Sequence, residues 1–395
     1  MKKIFALLTV FLAISGCDGS LTSNESELDQ YVLDASIWTV QLGTGTTDSA
    51  QAVSIDNDGN LFLAGYTSGD LEGNGNAGGH DLFLVKYNSS GDRQWSRQLG
   101  TSDNDSAFAT ATDSSGNVFA AGYTGGGLDG QTHIGSFDIF LVKYDTNGNR
   151  LWSVLHGSDN VTAKDVIFGM ETDTEGNAYL AGYTDAYLDN NTSAGGDDLI
   201  LIKYNSSGTR QWTVQYGTSA ADYARGVSLD SSGNIYLAGY TSGGLGSNSN
   251  SGSEDLFLIK YNSSGTRQWT KQLGSSGTDI GLEITLDNSS NIYVTGYTTG
   301  DLDSNTNSGG YDGFITKYNS SGTKQWTKLI GTSGWDVTYG RSAIDSSNNI
   351  YVSGYTGGGL DGNTNSGDND TLLVKYNSSG TKQWTKLIGT SAYDS

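Results

Sequence analysis

The sequence predicts an all-β fold, a β-propeller built from four-stranded antiparallel blades. Three observations carry that expectation. Tryptophan recurs at Trp38, Trp95, Trp152, Trp212, Trp269, Trp326 and Trp384, at intervals of 57, 57, 60, 57, 57 and 58 residues. A fixed period of this size marks a stacked or circular array of supersecondary units. Each unit also holds four short runs rich in β-type residues, bounded by Gly, Asn, Asp and Ser clusters, and no helical pattern. Finally, the period is much longer than the coils of a parallel β-solenoid, the competing architecture.

The first unit shows the elements in order. Strand A, AVSID (52–56), ends at the tight turn DNDGN, and strand B follows as LFLAGYT (61–67). After a Gly/Asn loop comes strand C, DLFLVKY (81–87), whose nearly continuous apolar run fits burial on both faces. The motif YNSSGDRQW (87–95) then turns the chain into strand D, QWSRQLG (94–100). That motif appears six times, letter for letter as YNSSGTRQW at 204–212 and 261–269. Asn and Ser bond locally to the backbone there, and Gly supplies a positive φ. The tryptophan is large enough to cover the junction between neighbouring blades. The intervals Asp56 to Tyr66, Tyr66 to Asp81 and Asp81 to Trp95 are the same in all six units. Only the step from tryptophan to the next turn aspartate varies, so insertions are expected in the D–A connection.

These units resemble SBBP repeats, the seven-bladed β-propeller repeat of bacterial surface and secreted proteins. The resemblance rests on D-x-x-G-N-x-Y-x-x-G-Y-T (Asp230 to Thr241), D-x-F-L-x-K-Y (Asp255 to Tyr261) and S-G-x-x-Q-W (Ser264 to Trp269), and it covers about residues 38–395. It implies a fold and is nearly silent on activity. The propeller domain is expected over 37–395: six complete A–D sets, preceded by a lone D-type strand, Ile37 to Gly43, and followed by TSAYDS, which matches the start of another strand A. The layout resembles WD-repeat rings, where such sharing between chain ends removes an exposed edge. Two closures stay open: six blades with a spare strand, or a truncated seven-bladed ring lacking about 45 residues.

The N-terminus reads as a targeting segment. Residues 1–16 carry Lys2, Lys3 and an apolar run from Ile4 to Ile14, as in a signal peptide. Ile14-Ser15-Gly16-Cys17 resembles a bacterial lipobox, which implies lipidation of Cys17 and a polar tether over 17–36. The expected location is therefore the bacterial cell envelope, with membrane contact through the lipid only. Cys17 is the single cysteine, so intrachain disulfides are excluded. A formal charge of −22 argues against nucleic-acid partners. Sixteen of the 21 Lys and Arg residues fall on strands C and D, which places a basic girdle on the outer rim.

In a propeller the A–B and C–D turns share one face and the D–A and B–C loops the other. The first face is monotonous here, so local function is expected on the second. Departures from the repeat on that face are Trp335, Tyr187, Phe137, Tyr311, His80 and His133, aromatic groups suited to stacking on sugars or anchoring a protein. The B–C loops read D-x-N-x-N-x-G-x-x-D at Asp303, Asn305, Asn307 and Asp312, and again at Asp361, Asn363, Asn365 and Asp370. Oxygen groups at alternate positions suit Ca²⁺, although the bidentate glutamate of an EF-hand is missing, and Asx-type turns explain the same pattern. One aspartate opens each strand A: Asp48, Asp105, Asp165, Asp222, Asp279 and Asp336. These either converge on the axis or cap loops, the capping role being favoured. The aspartates opening strand C (Asp81, Asp138, Asp198, Asp255, Asp312 and Asp370) carry the same expectation.

Enzyme signatures are poor. GNGNAG (73–78) satisfies a dinucleotide-binding pattern but joins strand to strand, with no helix to receive a pyrophosphate. The expectation is a monomeric, non-catalytic scaffold that binds a protein or glycan through its D–A and B–C loops. It requires no cofactor, and Ca²⁺ is the one candidate. The alternatives are a hydrolase or lyase with paired carboxylates at the channel mouth, and a calcium-stabilised adhesive repeat protein.

Overall fold

The computed structural model describes residues 40–395, apart from Arg341, Tyr393 and Ser395. The signal peptide, Cys17 and the tether lie outside the described residues. The rest forms six antiparallel sheets, each in the order A-B-C-D. Strands A are Asp48–Ile55, Asp105–Thr112, Asp165–Thr172, Asp222–Leu229 and Asp279–Leu286, with Asp336–Thr338 and Ala343–Ile344 in blade 6. Strands B are Leu61–Thr67, Val118–Thr124, Ala178–Thr184, Ile235–Thr241, Ile292–Thr298 and Ile350–Thr356. Strands C run Asp81–Tyr87, Asp138–Tyr144, Asp198–Tyr204, Asp255–Tyr261, Asp312–Tyr318 and Asp370–Tyr376. Strands D run Arg93–Leu99, Arg150–His156, Arg210–Tyr216, Arg267–Leu273, Lys324–Ile330 and Lys382–Ile388. The A strands of successive blades pack against one another from blade 1 to blade 5, which puts A at the centre and D at the rim.

The apolar cores lie between blades. One joins Phe119, Ala121, Ile139 and Leu141 of blade 2 to Ile167, Leu180, Ile200 and Ile202 of blade 3, all fully or almost fully buried. Strands B and C are therefore covered on both faces in the middle blades, which explains their unalternating apolar runs. The end blades are less covered: Val53 and Ile55 on strand A of blade 1 remain 45% exposed. At the rim, each strand-D tryptophan lies 5.8–6.2 Å from an aromatic ring of its own strand B, as Trp212 does from Tyr179. The strand-C lysine sits over the same ring, 4.8 Å away for Lys203.

Two expectations change. Residues 40–43, the described part of the lone D-type strand, pair with no sheet, although Leu42 packs against the core of blade 1. Insertions are also not confined to the D–A connection. The three extra residues of blade 3 do lie there, between His156 and Asp165, but the one extra residue of blade 6 lies inside strand A. Pairing stops at Thr338↔Gly354 and resumes at Ala343↔Tyr351, so strand A is split.

Candidate functional site

Every intact strand A carries a bulge at the same place. One residue is skipped in the ladder to strand B: Gln51, Phe108, Phe168, Arg225 and Leu282 in blades 1 to 5. In blade 6 the split strand puts Tyr339 at this position, 54% exposed. A bulge re-aims a side chain out of the pleat, and on the innermost strand that direction is toward the axis. Glycine in the GYT motif makes this possible. A Cβ on Gly239 would stand 1.9 Å from the Tyr223 carbonyl oxygen, and Gly65, Gly122, Gly182, Gly296 and Gly354 show the same approach at 1.8–2.0 Å.

The tyrosine after that glycine stands next to the bulge, half-buried in every blade. Together these positions form an aromatic belt toward the D–A and B–C end. Its first run joins blades 2 to 4: Phe137 to Tyr123 at 4.4 Å, Tyr123 to Phe108 and Phe108 to Phe168 at 5.7 Å, then Phe168 to Tyr183 at 5.8 Å. Tyr223 continues it, 4.8 Å from Tyr183 and 5.0 Å from Tyr240. The second run, Tyr297, Tyr311 and Trp335, has successive ring centres 5.1 Å apart. Ile280, Leu282 and Val337 pack against Tyr240, Tyr297, Tyr311 and Tyr355 and connect the two runs. Arg225 enters from blade 4, its guanidinium 4.0 Å from the centre of the Phe168 ring. Asp197 accepts a hydrogen bond from the Tyr223 hydroxyl, and Glu254 accepts one from Thr278 at 2.7 Å. Burial, with Asp197 nearby, pushes the Tyr183 phenol up to about 12. Burial likewise raises Tyr223, Tyr240 and Tyr297, so these hydroxyls stay protonated donors at neutral pH.

Of the residues singled out from sequence, the structure brings Phe137, Tyr311, Trp335 and His80 into this belt. His80 stacks on Tyr66 with ring centres 4.5 Å apart. His133 is not brought in by any ring contact, and its Nε2 is buried without a partner. Tyr187 stands apart in the blade 3 B–C loop, 67% exposed. Sequence reasoning missed the bulge residues and the GYT tyrosines. The signal was present: an aspartate opens every strand A, and the third residue after it changes in chemistry from blade to blade.

The strand-A aspartates are engaged by loop and strand-B groups. Asp222 is fully buried and accepts from the Thr218 backbone N–H at 2.6 Å and from the Thr241 hydroxyl. Asp105 and Asp279 are held likewise by Thr101 and Thr124 and by Ser275 and Thr298. Asp336 takes Thr332 and Thr356, Asp48 takes Thr44 and Thr67, and Asp165 takes the Ser158 N–H. The strand-C aspartates tie down the B–C loops, Asp81 receiving Ala77 N–H and the Gln98 amide, and Asp198 receiving Ala194 N–H and the Gln215 amide. Ile134 and Ser251 donate to Asp138 and Asp255 in the same way.

The Ca²⁺ candidates are engaged within their own blades. Asp303 pairs with Lys324, and Asp361 with Lys382 at 2.6 Å. Asn305 and Asn363 donate to the carbonyls of Leu302 and Leu360, and Asn307 and Asn365 to those of Thr298 and Thr356. Asp312 and Asp370 accept from the N–H groups of Ser308 and Ser366. The rim pairing recurs in Arg93–Glu72, Arg150–Asp129 and Arg210–Asp189. Blade 4 breaks the series: Gly246 occupies the acidic position, and Arg267 lies over the Tyr216 ring instead. Among the described residues, no group of three or more His, Cys, Asp or Glu side chains is arranged to hold a metal ion.

Comparison with known proteins agrees with this architecture. The SBBP family model, described as a beta-propeller repeat, matches residues 37–72, 94–129, 211–246 and 268–303. The regulatory protein FlaEY of Caulobacter vibrioides is 26% identical over 87% of this chain, and the match spans 40% of FlaEY. An uncharacterised WD repeat-containing protein of Acanthamoeba polyphaga mimivirus is 25% identical over 75% of this chain and 23% of its own length. The chain thus spans less than half of either relative. Among solved structures, a protein of unknown function from Dyadobacter fermentans aligns over 80% of this chain and 92% of its own, at 13% identity and a TM-score of 0.47.

Proposed function

We propose that this protein is a non-catalytic binding scaffold that takes a glycan chain at its aromatic axial mouth, held at the cell envelope through a lipid on Cys17. The supporting observation is that variable aromatic residues gather against the repeated GYT tyrosines at one end of the axis. The rings Phe108, Phe168, Tyr183, Tyr223 and Tyr240 present faces and protonated hydroxyls together. Sugars are recognised by that combination, CH-rich faces against rings and hydroxyls against polar edges. The non-catalytic reading is supported by the engagement of the acids: the strand-A aspartates take loop N–H and threonine hydroxyl groups, as Asp222 does, while Asp197 and Glu254 take the hydroxyls of Tyr223 and Thr278.

The test is a glycan array probed with purified protein, followed by tryptophan and tyrosine fluorescence titration of the best oligosaccharide. Binding without release of shorter products is expected, and the double variant Tyr183→Ala, Tyr240→Ala should weaken it at least tenfold. Turnover of the oligosaccharide, or selective capture of a protein with no glycan retained, refutes the reading. Anchoring is tested separately by mass spectrometry of the membrane fraction, where Cys17→Ser should abolish the lipid-modified N-terminal peptide.

A further inference from the structure

Arg225 differs from the other basic residues in its environment. Sixteen of the 21 Lys and Arg residues lie on the outer strands, whereas Arg225 is the bulge residue of an inner strand. Arg93, Arg150 and Arg210, which open strands D of blades 1 to 3, each meet a carboxylate, and Arg97 donates to the carbonyls of Gly148 and Ser96. Arg225 is half-buried, and among the described residues its guanidinium makes no ion pair or hydrogen bond, only the ring contact with Phe168 at 4.0 Å. The carboxylates nearest the mouth are already engaged, Asp197 by the Tyr223 hydroxyl and Glu254 by Thr278. A guanidinium stacked on a ring keeps its edge N–H groups available, in a fork that matches a carboxylate with two parallel hydrogen bonds.

We infer that Arg225 is a carboxylate-recognition residue, and that the glycan bound at the mouth carries uronate-type acidic sugars. The inference rests on the glycan reading above and specifies its chemistry. The acid group of one sugar meets the Arg225 edge while its ring lies against Phe168, Tyr183 or Tyr240. Tyr240 lies within electrostatic range of Arg225, Glu254 and Asp197 alike, so one cation and two acids surround it. That balance, with an overall charge of −22, favours a ligand with at most one carboxylate per sugar over chains carrying several sulfates per sugar. A peptide C-terminus offers the same carboxylate but lacks the broad CH face that the ring series fits.

Titration calorimetry on the full chain tests this with three probes: tetragalacturonate, a neutral galactose tetramer and a tetrapeptide with a free C-terminus. Tetragalacturonate is expected to bind more tightly than the neutral tetramer. Arg225→Gln should weaken it about ten- to hundredfold, the range for hydrogen bonds to charged groups, and so remove most of its advantage over the neutral tetramer. Arg225→Lys should recover part of the loss, because a point charge lacks the fork. Phe168→Leu, which removes the stacking platform and keeps the arginine, should also weaken the acidic probe. Melting curves confirm that each variant is folded. Equal affinity for acidic and neutral probes, an Arg225→Gln variant with wild-type affinity, or tighter binding of the peptide overturns the inference. Saccharide binding that needs Tyr183 and Tyr240, with the acidic probe held no more tightly than the neutral one and unaffected by Arg225→Gln, leaves the glycan reading standing and this one refuted. No binding of any saccharide refutes both.

Discussion

Replacing Gly239 with alanine tests whether the bulge depends on glycine. The added Cβ would lie 1.9 Å from the Tyr223 carbonyl oxygen, 2.7 Å from Cζ of Phe257 and 2.9 Å from the Tyr223 carbonyl carbon. A carbon and an oxygen settle at roughly 3.3 Å, so strand A must retreat by about 1 Å. Overpacking of this kind costs about 1–3 kcal/mol. Loss of one ladder hydrogen bond adds about 1 kcal/mol, for a total of about 2–4 kcal/mol. At about 2 °C per kcal/mol, the lower slope expected for a long chain, the melting midpoint should fall by about 4–8 °C. Calorimetry on the wild type, Gly239→Ala and Gly45→Ala measures it. Gly45 has nothing within 4 Å of its virtual Cβ, so its variant should stay within about 0.5 kcal/mol of wild type. The displaced carbonyl leads directly into Ala224 and Arg225, so Gly239→Ala should also impair binding at the mouth. If both variants melt together, the bulge does not require the glycine and the argument fails.

Three further outcomes are expected. Burial pushes the carboxyls of Asp105, Asp165, Asp222, Asp279 and Asp312 above their ordinary 3.8. Their contribution is complete below that value and is lost as pH rises through the folded-state pKa. Against the upward pull of burial, hydrogen bonds from Asn117, Asn234 and Asn349 hold Asp113, Asp230 and Asp345 low, and these lose their contribution as pH falls through the depressed pKa. Stability should therefore peak near pH ~4, with a higher melting midpoint at about pH 4.5 than at about pH 7.5. His156, held down to about 4 by burial and Arg210, acts in the opposite sense, so the measurement is made in a His156→Gln background. A midpoint that climbs steadily toward neutrality contradicts the assignment. At the rim, Gly246→Asp should restore the missing pair with Arg267 and stabilise by about 0.2–1 kcal/mol, read by a double-mutant cycle with Arg267→Ala. Non-zero coupling is required. Because Asp303 and Asp361 already pair with lysines, a chelator should leave the melting midpoint unchanged, and a Ca²⁺-dependent rise of several degrees would revive the loop-ligand reading.

The architecture was legible because each repeated letter has one structural task. The aspartate that opens strand A, the threonine of GYT and the tryptophan of strand D recur because loop capping and blade packing recur, and a single sequence holds six copies to compare. The bulges were hidden because strand A is read as a strand of ordinary alternation, and a one-residue slip leaves no composition signal. The B–C loops were ambiguous for a related reason. Alternating Asp and Asn suit a cation and an Asx turn equally, and only the placement of Lys324 against Asp303 shows which partner is at hand. His80, Phe137 and Tyr311 could be singled out as departures from the repeat, but their shared partner could not. The tyrosine that each meets belongs to the most repeated motif in the chain, so it looked purely structural.

The repeat itself serves as an internal control for locating function. Positions that hold the blade together keep their chemistry from unit to unit: Lys203 over Tyr179 has its counterpart in Lys260 over Tyr236 and Lys317 over Tyr293. The bulge position obeys no such rule, running Gln51, Phe108, Phe168, Arg225, Leu282 and Tyr339. The ladder skips this residue, so strand pairing does not dictate its side chain, although Leu282 is held in the apolar cluster of blades 5 and 6. A site free of pairing demand, repeated on the inner strand of every blade, lets the chain vary its axial chemistry one residue at a time. Phe108, Phe168 and Arg225 fall on the adjacent blades 2 to 4 and are joined by ring contacts, blade 6 adds an exposed Tyr339, and blade 1 contributes an exposed glutamine. Recognition is therefore expected to be one-sided about the axis, centred on Phe108, Phe168 and Arg225, with the monotonous turns of the opposite face taking no part.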